Sequence, residues 1–204
     1  MIGIVGGIGS GKSSVAKQLA KTRSLLILDG DQVGHEQFNN TSVQQEIRKR
    51  FGDDAFDESE NVSRRNLGRM VFGSTDQHAR ARRDLEAILH PGIRSQFLSE
   101  IEKANQTDQF EAVILDAALL LEAGWQELCQ AVVFIDTPYD IRRQRVMQNR
   151  GWVDGELEKR ESNQLSIEEK KSRSDYTIDN SGTLDEASQS LDKILSRIVS
   201  NTDA

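Results

Sequence analysis

Ile2-Gly3-Ile4-Val5-Gly6-Gly7-Ile8-Gly9-Ser10-Gly11-Lys12-Ser13-Ser14-Val15-Ala16-Lys17-Gln18-Leu19-Ala20 decides how the rest of this chain is read. Residues 2–5 form a short, mostly apolar run of the kind that makes a buried strand. Residues 6–13 fit the pattern G-x-x-x-x-G-K-[ST], and residues 14–20 carry apolar side chains at helical spacing. Strand, glycine loop and helix, in that order, give the pattern a mechanism. The glycines let the backbone curl so that successive N–H groups converge on phosphate oxygens. The helix N-terminus adds its partial positive charge. Lys12 is placed to bridge the outer phosphates, and the Ser13 hydroxyl to reach a magnesium ion. Gly9, Ser10, Gly11, Lys12, Ser13 and Ser14 are therefore the candidate nucleotide-binding residues. A glycine-rich turn with an incidental lysine is the bland alternative, and the Lys-Ser pair with correct flanks outweighs it. A nucleoside triphosphate is the expected ligand.

Four more apolar runs, at residues 25–28, 112–115, 131–135 and 176–178, read as buried parallel strands. Helical patterns follow the first strand (residues 15–21) and the fourth (141–149), and another closes the chain (184–199). Strands alternating with helices imply a three-layer α/β fold around a five-stranded parallel sheet. Its ligand is expected at the carboxyl ends of the strands. The interval between the second and third strands is far longer than a crossover requires. It holds helical patterns at 43–51, 64–72 and from 79 towards 103, and reads as a helical substrate-binding insertion. The polar stretch 150–173 reads as a helical lid. The chain thus divides into a core of residues 1–31, 105–140 and 174–204, an insertion of 32–104 and a lid of 141–173.

At 204 residues the chain suits one domain with such insertions and can bury a substantial core. A formal net charge of -7 argues against a general nucleic-acid binder. Basic residues nevertheless cluster, at Arg64, Arg65, Arg69, Arg80, Arg82 and Arg83 and again at Arg142, Arg143, Arg145, Arg150 and Arg160. Such clusters suit a small polyanionic ligand, or else solvated helix faces. The lone Cys129 excludes an intrachain disulfide and suggests a reducing compartment. No apolar stretch is long enough to cross a bilayer, and the N-terminus has no basic leader. A cytoplasmic protein without membrane or nucleic-acid partners is expected, with a monomer favoured.

Acids mark the strand ends. Asp29-Gly30-Asp31 follows the second strand, where one carboxylate could take a proton from a hydroxyl while the other helps hold magnesium. Read alone, the triplet is equally a turn. Asp116 follows the third strand and suits a water-mediated contact to magnesium, with a helix N-cap as its competitor. His90-Pro91 lies late in a helical run, where a histidine is commonly a structural hydrogen-bonder. Arg145 and Arg150 lie in the lid, where a guanidinium arriving on closure can stabilise charge on a transferring phosphoryl group. Closure also excludes water, a competing acceptor. His35, His78 and Cys129 lack the spacing of a zinc site.

Taken in order, these motifs resemble the dephospho-coenzyme A kinase family along nearly the whole chain. The loop of residues 6–13 is similar to that family's form, and Asp29-Gly30-Asp31 stands where the family has Asp-Ala-Asp. Phe51-Gly52, Arg64, Leu67, Val71-Phe72, Leu85-Glu86 and His90-Pro91 follow in the family's order. So do Asp116 with Leu119-Leu120-Leu121-Glu122, then Arg145, Arg150-Gly151-Trp152, Arg160 and Gln164, and Ile178-Asp179-Asn180-Ser181-Gly182. Ala118 replaces a common proline, and Asn39-Asn40-Thr41-Ser42 lacks a frequent glycine.

The resemblance implies a P-loop kinase fold that uses ATP and magnesium to phosphorylate the ribose 3′-hydroxyl of dephospho-coenzyme A. It makes Asp31 the general base and leaves Asp29 and Asp116, with Ser13, to the metal. Lys12, Arg145 and Arg150 become the phosphate-side cations, and Asn180 and Gly182 approach the adenine. Arg64, His90, Pro91, Leu119 and Leu120 fall to the acceptor side. Two other readings fit the phosphate loop: a kinase of nucleosides or nucleotides, and a nucleotide-dependent switch. The switch requires a base-reading motif such as Asn-Lys-x-Asp after the fourth strand, where this chain has Asp136-Thr137-Pro138-Tyr139-Asp140.

Overall fold

The computed structural model describes residues 1–73, 75–107 and 109–200; residues 74, 108 and 201–204, which fall within the expected segments 32–104, 105–140 and 174–204, lie outside them. Its strands are β1 (Ile2–Gly6), β2 (Leu25–Asp29), β3 (Ala112–Asp116), β4 (Ala131–Asp136) and β5 (Tyr176–Asp179). They form one sheet in the order β2-β3-β1-β4-β5, and every pairing is parallel. Each strand runs one residue past the apolar run that marks it in the sequence. The added residues are Gly6, Asp29, Asp116, Asp136 and Asp179, which carry the hydrogen-bonded ladder to the rim of the core. Asp29 lies in register with Asp116, and Asp136 with Asp179. The order reverses at β1, which pairs with β3 on one side and β4 on the other, so a crevice opens at its carboxyl end.

Alternation along β1 separates the two faces of the sheet. Ile2 and Ile4 join Ile114, Val133, Ile135 and Ile178 beneath α1 (Lys12–Leu19) and α9 (Leu184–Ser200). Those helices supply Val15, Ala16 and Leu19, and Ala187, Leu191, Ile194 and Leu195. On the other face a Cβ at Gly3 would stand 2.8 Å from Leu120 Cδ1 and 2.9 Å from Cys129 Sγ. Glycine here lets the segment after β3 close on the sheet. Full burial of a side chain such as Leu120 is worth about 1.5–3 kcal/mol. The same burial pushes the Cys129 thiol up to about 11.

Between β4 and β5 the chain forms α6 (Tyr139–Arg150), α7 (Glu156–Glu161) and α8 (Ile167–Ser172). Ser166 caps α8 by accepting from the Glu169 N–H at 3.1 Å. Lys170, on α8, is buried, and its ammonium donates to Glu122 at 3.0 Å, Gln164 at 2.9 Å and the Ala118 carbonyl at 3.0 Å. All three ammonium protons are thereby used. This network fastens the polar stretch before β5 to the loop after β3.

The chain divides into two compact units, one made of the described residues of Met1–Asp29 and Ile101–Ala204, the other of Gly30–Glu100. The second unit holds α2 (Gly30–Gln37), α3 (Thr41–Phe51), α4 (Arg64–Val71) and most of α5 (Asp76–Asn105). Val43, Ile47, Phe56, Leu67, Val71 and Ala81 make its own core. Asn40 caps α3 and Ser63 caps α4, so the segment without a glycine at 39–42 serves as a helix start. Asp29-Gly30-Asp31 is not a turn: Gly30 opens α2 directly, with Asp31 in its first turn. Pro91 lies inside α5, which continues through it despite the lost N–H. Gln37, on α2, is buried and donates to Gln96 at 2.8 Å, and Gln96 donates to Glu36 at 2.8 Å, a polar seam joining α2 to α5.

Among the described residues, no helix is long and apolar enough to cross a membrane.

Candidate active site

The glycine loop leaves β1 at Gly6 and enters α1 at Lys12, in the crevice at the sheet's centre. Gly9 and Gly11 have φ of 80° and 88°, in the left-handed region that favours glycine. Space also restricts them: a Cβ at Gly9 would lie 2.8 Å from the Arg142 carbonyl, and one at Gly11 2.6 Å from Asn180 Nδ2. As the N-cap of α1, Gly11 has no side chain to offer, so the first-turn N–H groups are left for an anionic ligand. Lys12 Nζ donates to the Gly6 and Gly7 carbonyls at 3.3 and 3.4 Å, which folds its ammonium over the loop. Ser13 is half-buried beside it and Ser14 is exposed.

Two sets of side chains hold the loop from behind. Arg142 is buried and donates to the Thr137 carbonyl at 3.1 Å and the Ile8 carbonyl at 3.2 Å, while pairing with Glu161. Glu161 in turn accepts from the Ile8 N–H at 3.2 Å. One ion pair thus brackets both polar groups of Ile8. The Ser10 carbonyl accepts from Asn180 Nδ2 at 2.7 Å, Thr137 Oγ1 at 3.0 Å and Arg145 Nη1 at 3.2 Å. Arg145 Nη2 also donates to the Asn180 carbonyl at 3.1 Å.

The acids of this unit stand where the strand ends place them. Asp116 is buried, half-buried Asp29 is beside it in register, and both are hard oxygen donors of the type magnesium takes. Among the described residues, no group of three or more His, Cys, Asp or Glu side chains could hold a metal ion unaided.

Arg150 is exposed at the end of α6, its guanidinium 5.1 Å from the centre of the Trp152 ring, and Arg160 stands 4.5 Å from the same ring. Leu120 is fully buried against Gly3, so its side chain belongs to the core, whereas Leu119 is half-buried. Asn180 is buried with its amide turned to the loop, and Gly182 is exposed in the turn after β5. In the second unit Asp31 is exposed in the first turn of α2, and Arg64 is exposed at the start of α4. His90 is half-buried on α5 just before Pro91, and burial lowers its pKa below the ordinary histidine value.

Sequence reasoning passes over Thr137, Glu161 and Lys170 and gives Arg142 no role. Only Arg142 leaves a signal, as a member of the basic run 142–145; the others bond to partners that no local pattern announces.

A family model described as dephospho-CoA kinase matches residues 1–186. The dephospho-CoA kinase of Latilactobacillus sakei is 36% identical over 195 residues, covering 95% of this chain and 93% of that protein. A crystal structure from Thermus thermophilus superposes with a TM-score of 0.80 at 30% identity, covering 96% of each chain. Shikimate kinase from Acinetobacter baumannii, at 19% identity and a TM-score of 0.52, shares the fold; the match covers 98% of this chain and 93% of that one.

Proposed function

Since the chain belongs to the dephospho-CoA kinase family, we propose that it moves the γ-phosphoryl group of ATP to the ribose 3′-hydroxyl of dephospho-coenzyme A. This is the last step of coenzyme A biosynthesis. The observation that carries the reading is the pairing of Asp29 with Asp116 at adjoining strand ends, next to the strand that feeds the phosphate loop. A loop alone serves any nucleotide-binding protein. A loop flanked by acids at the strand ends supplies the parts of a transfer site.

Each residue then has a task. The N–H groups from Gly9 to Ser14 hold the ATP phosphates. Lys12 leaves the Gly6 and Gly7 carbonyls to sit on the outer phosphates. Magnesium, when bound with ATP, neutralises phosphate charge; Ser13, Asp29 and Asp116 are the residues that would hold it or its waters. Asp31 orients the acceptor hydroxyl and takes its proton as attack proceeds. Arg150 is the lid cation for the transferring group, and Arg64, His90, Pro91 and Leu119 belong to the acceptor side. Asn180 and Gly182 flank the adenine.

A coupled ADP-release assay offering dephospho-coenzyme A, nucleosides and nucleoside monophosphates in parallel tests the proposal. Turnover with dephospho-coenzyme A alone is expected. Phosphorylation of a nucleoside or nucleotide, without dephospho-coenzyme A turnover, would overturn it.

A further inference from the structure

We propose that Thr137, Arg145 and Asn180 form a clamp on the Ser10 carbonyl that aims the Gly11 N–H at bound phosphate. They are then positioning residues for the triphosphate, acting through the loop. The inference rests on the nucleotide-binding reading above and adds to it a set of residues with a defined action.

The Ser10 carbonyl has two lone pairs and three donors, at 2.7, 3.0 and 3.2 Å. The donors come from three places: Thr137 just after β4, Arg145 from α6 and Asn180 just after β5. Because the peptide is planar and trans, the direction of the Ser10 C=O sets that of the Gly11 N–H, which points the opposite way. Donors that hold the Ser10 C=O therefore fix the Gly11 N–H in the opposite direction, away from the clamp. They also polarise the peptide, which strengthens its N–H as a donor.

Two further observations agree. Gly11 is left-handed, and its missing Cβ would fall 2.6 Å from Asn180 Nδ2 and 3.3 Å from Arg145 Nη1, so the clamp packs directly on this residue. The clamp members are themselves fixed. The Asn180 N–H donates to the Asp136 carbonyl at 2.8 Å, its carbonyl accepts from Arg145, and the Thr137 carbonyl accepts from Arg142. Thr137 and Asn180 are buried, so water does not readily replace a donor that is removed.

Inorganic tripolyphosphate, which has neither base nor ribose, separates a grip on phosphate from contact with adenine. Affinities of the full chain for magnesium-ATP and for tripolyphosphate would be measured by titration calorimetry in wild type, Thr137→Val, Thr137→Ser and Asn180→Asp. Thr137→Val is expected to weaken both ligands by the same factor, roughly three- to tenfold for one lost hydrogen bond. Thr137→Ser should stay within about twofold of wild type. Asn180→Asp turns a carboxylate oxygen towards the Ser10 carbonyl and should weaken both ligands more than Thr137→Val does. If that variant does not fold, the two Thr137 variants decide the matter.

Unchanged tripolyphosphate affinity in Thr137→Val overturns the clamp, even if ATP binding falls. So does a loss in Thr137→Ser equal to that in Thr137→Val. Wild type that binds both ligands and responds as expected, yet phosphorylates no acceptor, sinks the proposed function and leaves the clamp standing. Wild type that binds neither ligand sinks both.

Discussion

Lys170 and Glu122 lie 3.0 Å apart, with the lysine side chain only 1% exposed. A buried ion pair of this kind has little net value over an apolar pair, but losing one partner strands the other. Lys170→Ala leaves Glu122 without its cation and opens a cavity, so it should destabilise the protein by about 3–5 kcal/mol. Lys170→Met fills the space and should be milder. Denaturant titration of both variants checks this, and equal stability for Lys170→Ala and wild type would refute it.

Arg142 and Glu161 bracket Ile8 and should behave as one unit. A double-mutant cycle with Arg142→Met and Glu161→Gln is expected to give a coupling of about 1–3 kcal/mol in stability. Additive losses would show that the two act separately on the loop.

Asp31→Asn keeps the shape of the side chain and removes its basicity. Turnover should fall on the order of a hundredfold or more, the scale of a lost general base, while ATP affinity changes little. Steady-state rates and calorimetry of ATP binding measure the two effects. A variant with near-normal turnover would remove Asp31 from the reaction.

Burial depresses the pKa of His90 in the folded chain, while the unfolded chain keeps a value near 6.5. As pH falls through the unfolded value, the unfolded state binds a proton that the folded state does not. Stability contributed by neutral His90 is therefore full above about pH 6.5 and is lost as pH drops towards the folded pKa. Melting temperatures between pH 7.5 and 5 should fall less steeply for His90→Gln than for wild type. Parallel curves would contradict this.

The strand-loop-helix of residues 2–20 and the alternating order of strands and helices were legible because each repeats a local pattern with a physical cause. Legibility stopped at the strand ends. An apolar run ends at Leu28 or Leu115, but the backbone ladder does not, and Asp29 and Asp116 lie within their strands. Asp-Gly-Asp suits a turn, yet Val33 is buried on α2, which begins at Gly30. Leu119-Leu120 reads as one apolar pair, although only Leu120 reaches the core. The least legible parts are the loop's supports. Glu161 meets Ile8 across 153 residues of sequence, and Thr137 meets Ser10 across 127. A carbonyl that accepts three donors has no residue-level signature, because every residue has a carbonyl.

The sheet's central strand is also its first in sequence. Residues 2–4 pair with 114–116 and residues 2–6 with 131–135, so β1 is synthesised long before either neighbour. The second unit, complete within residues 30–100, can collapse on its own contacts meanwhile. Birth order and assembly order are thus inverted: the phosphate loop is made well before its anchors, which lie between residues 112 and 180.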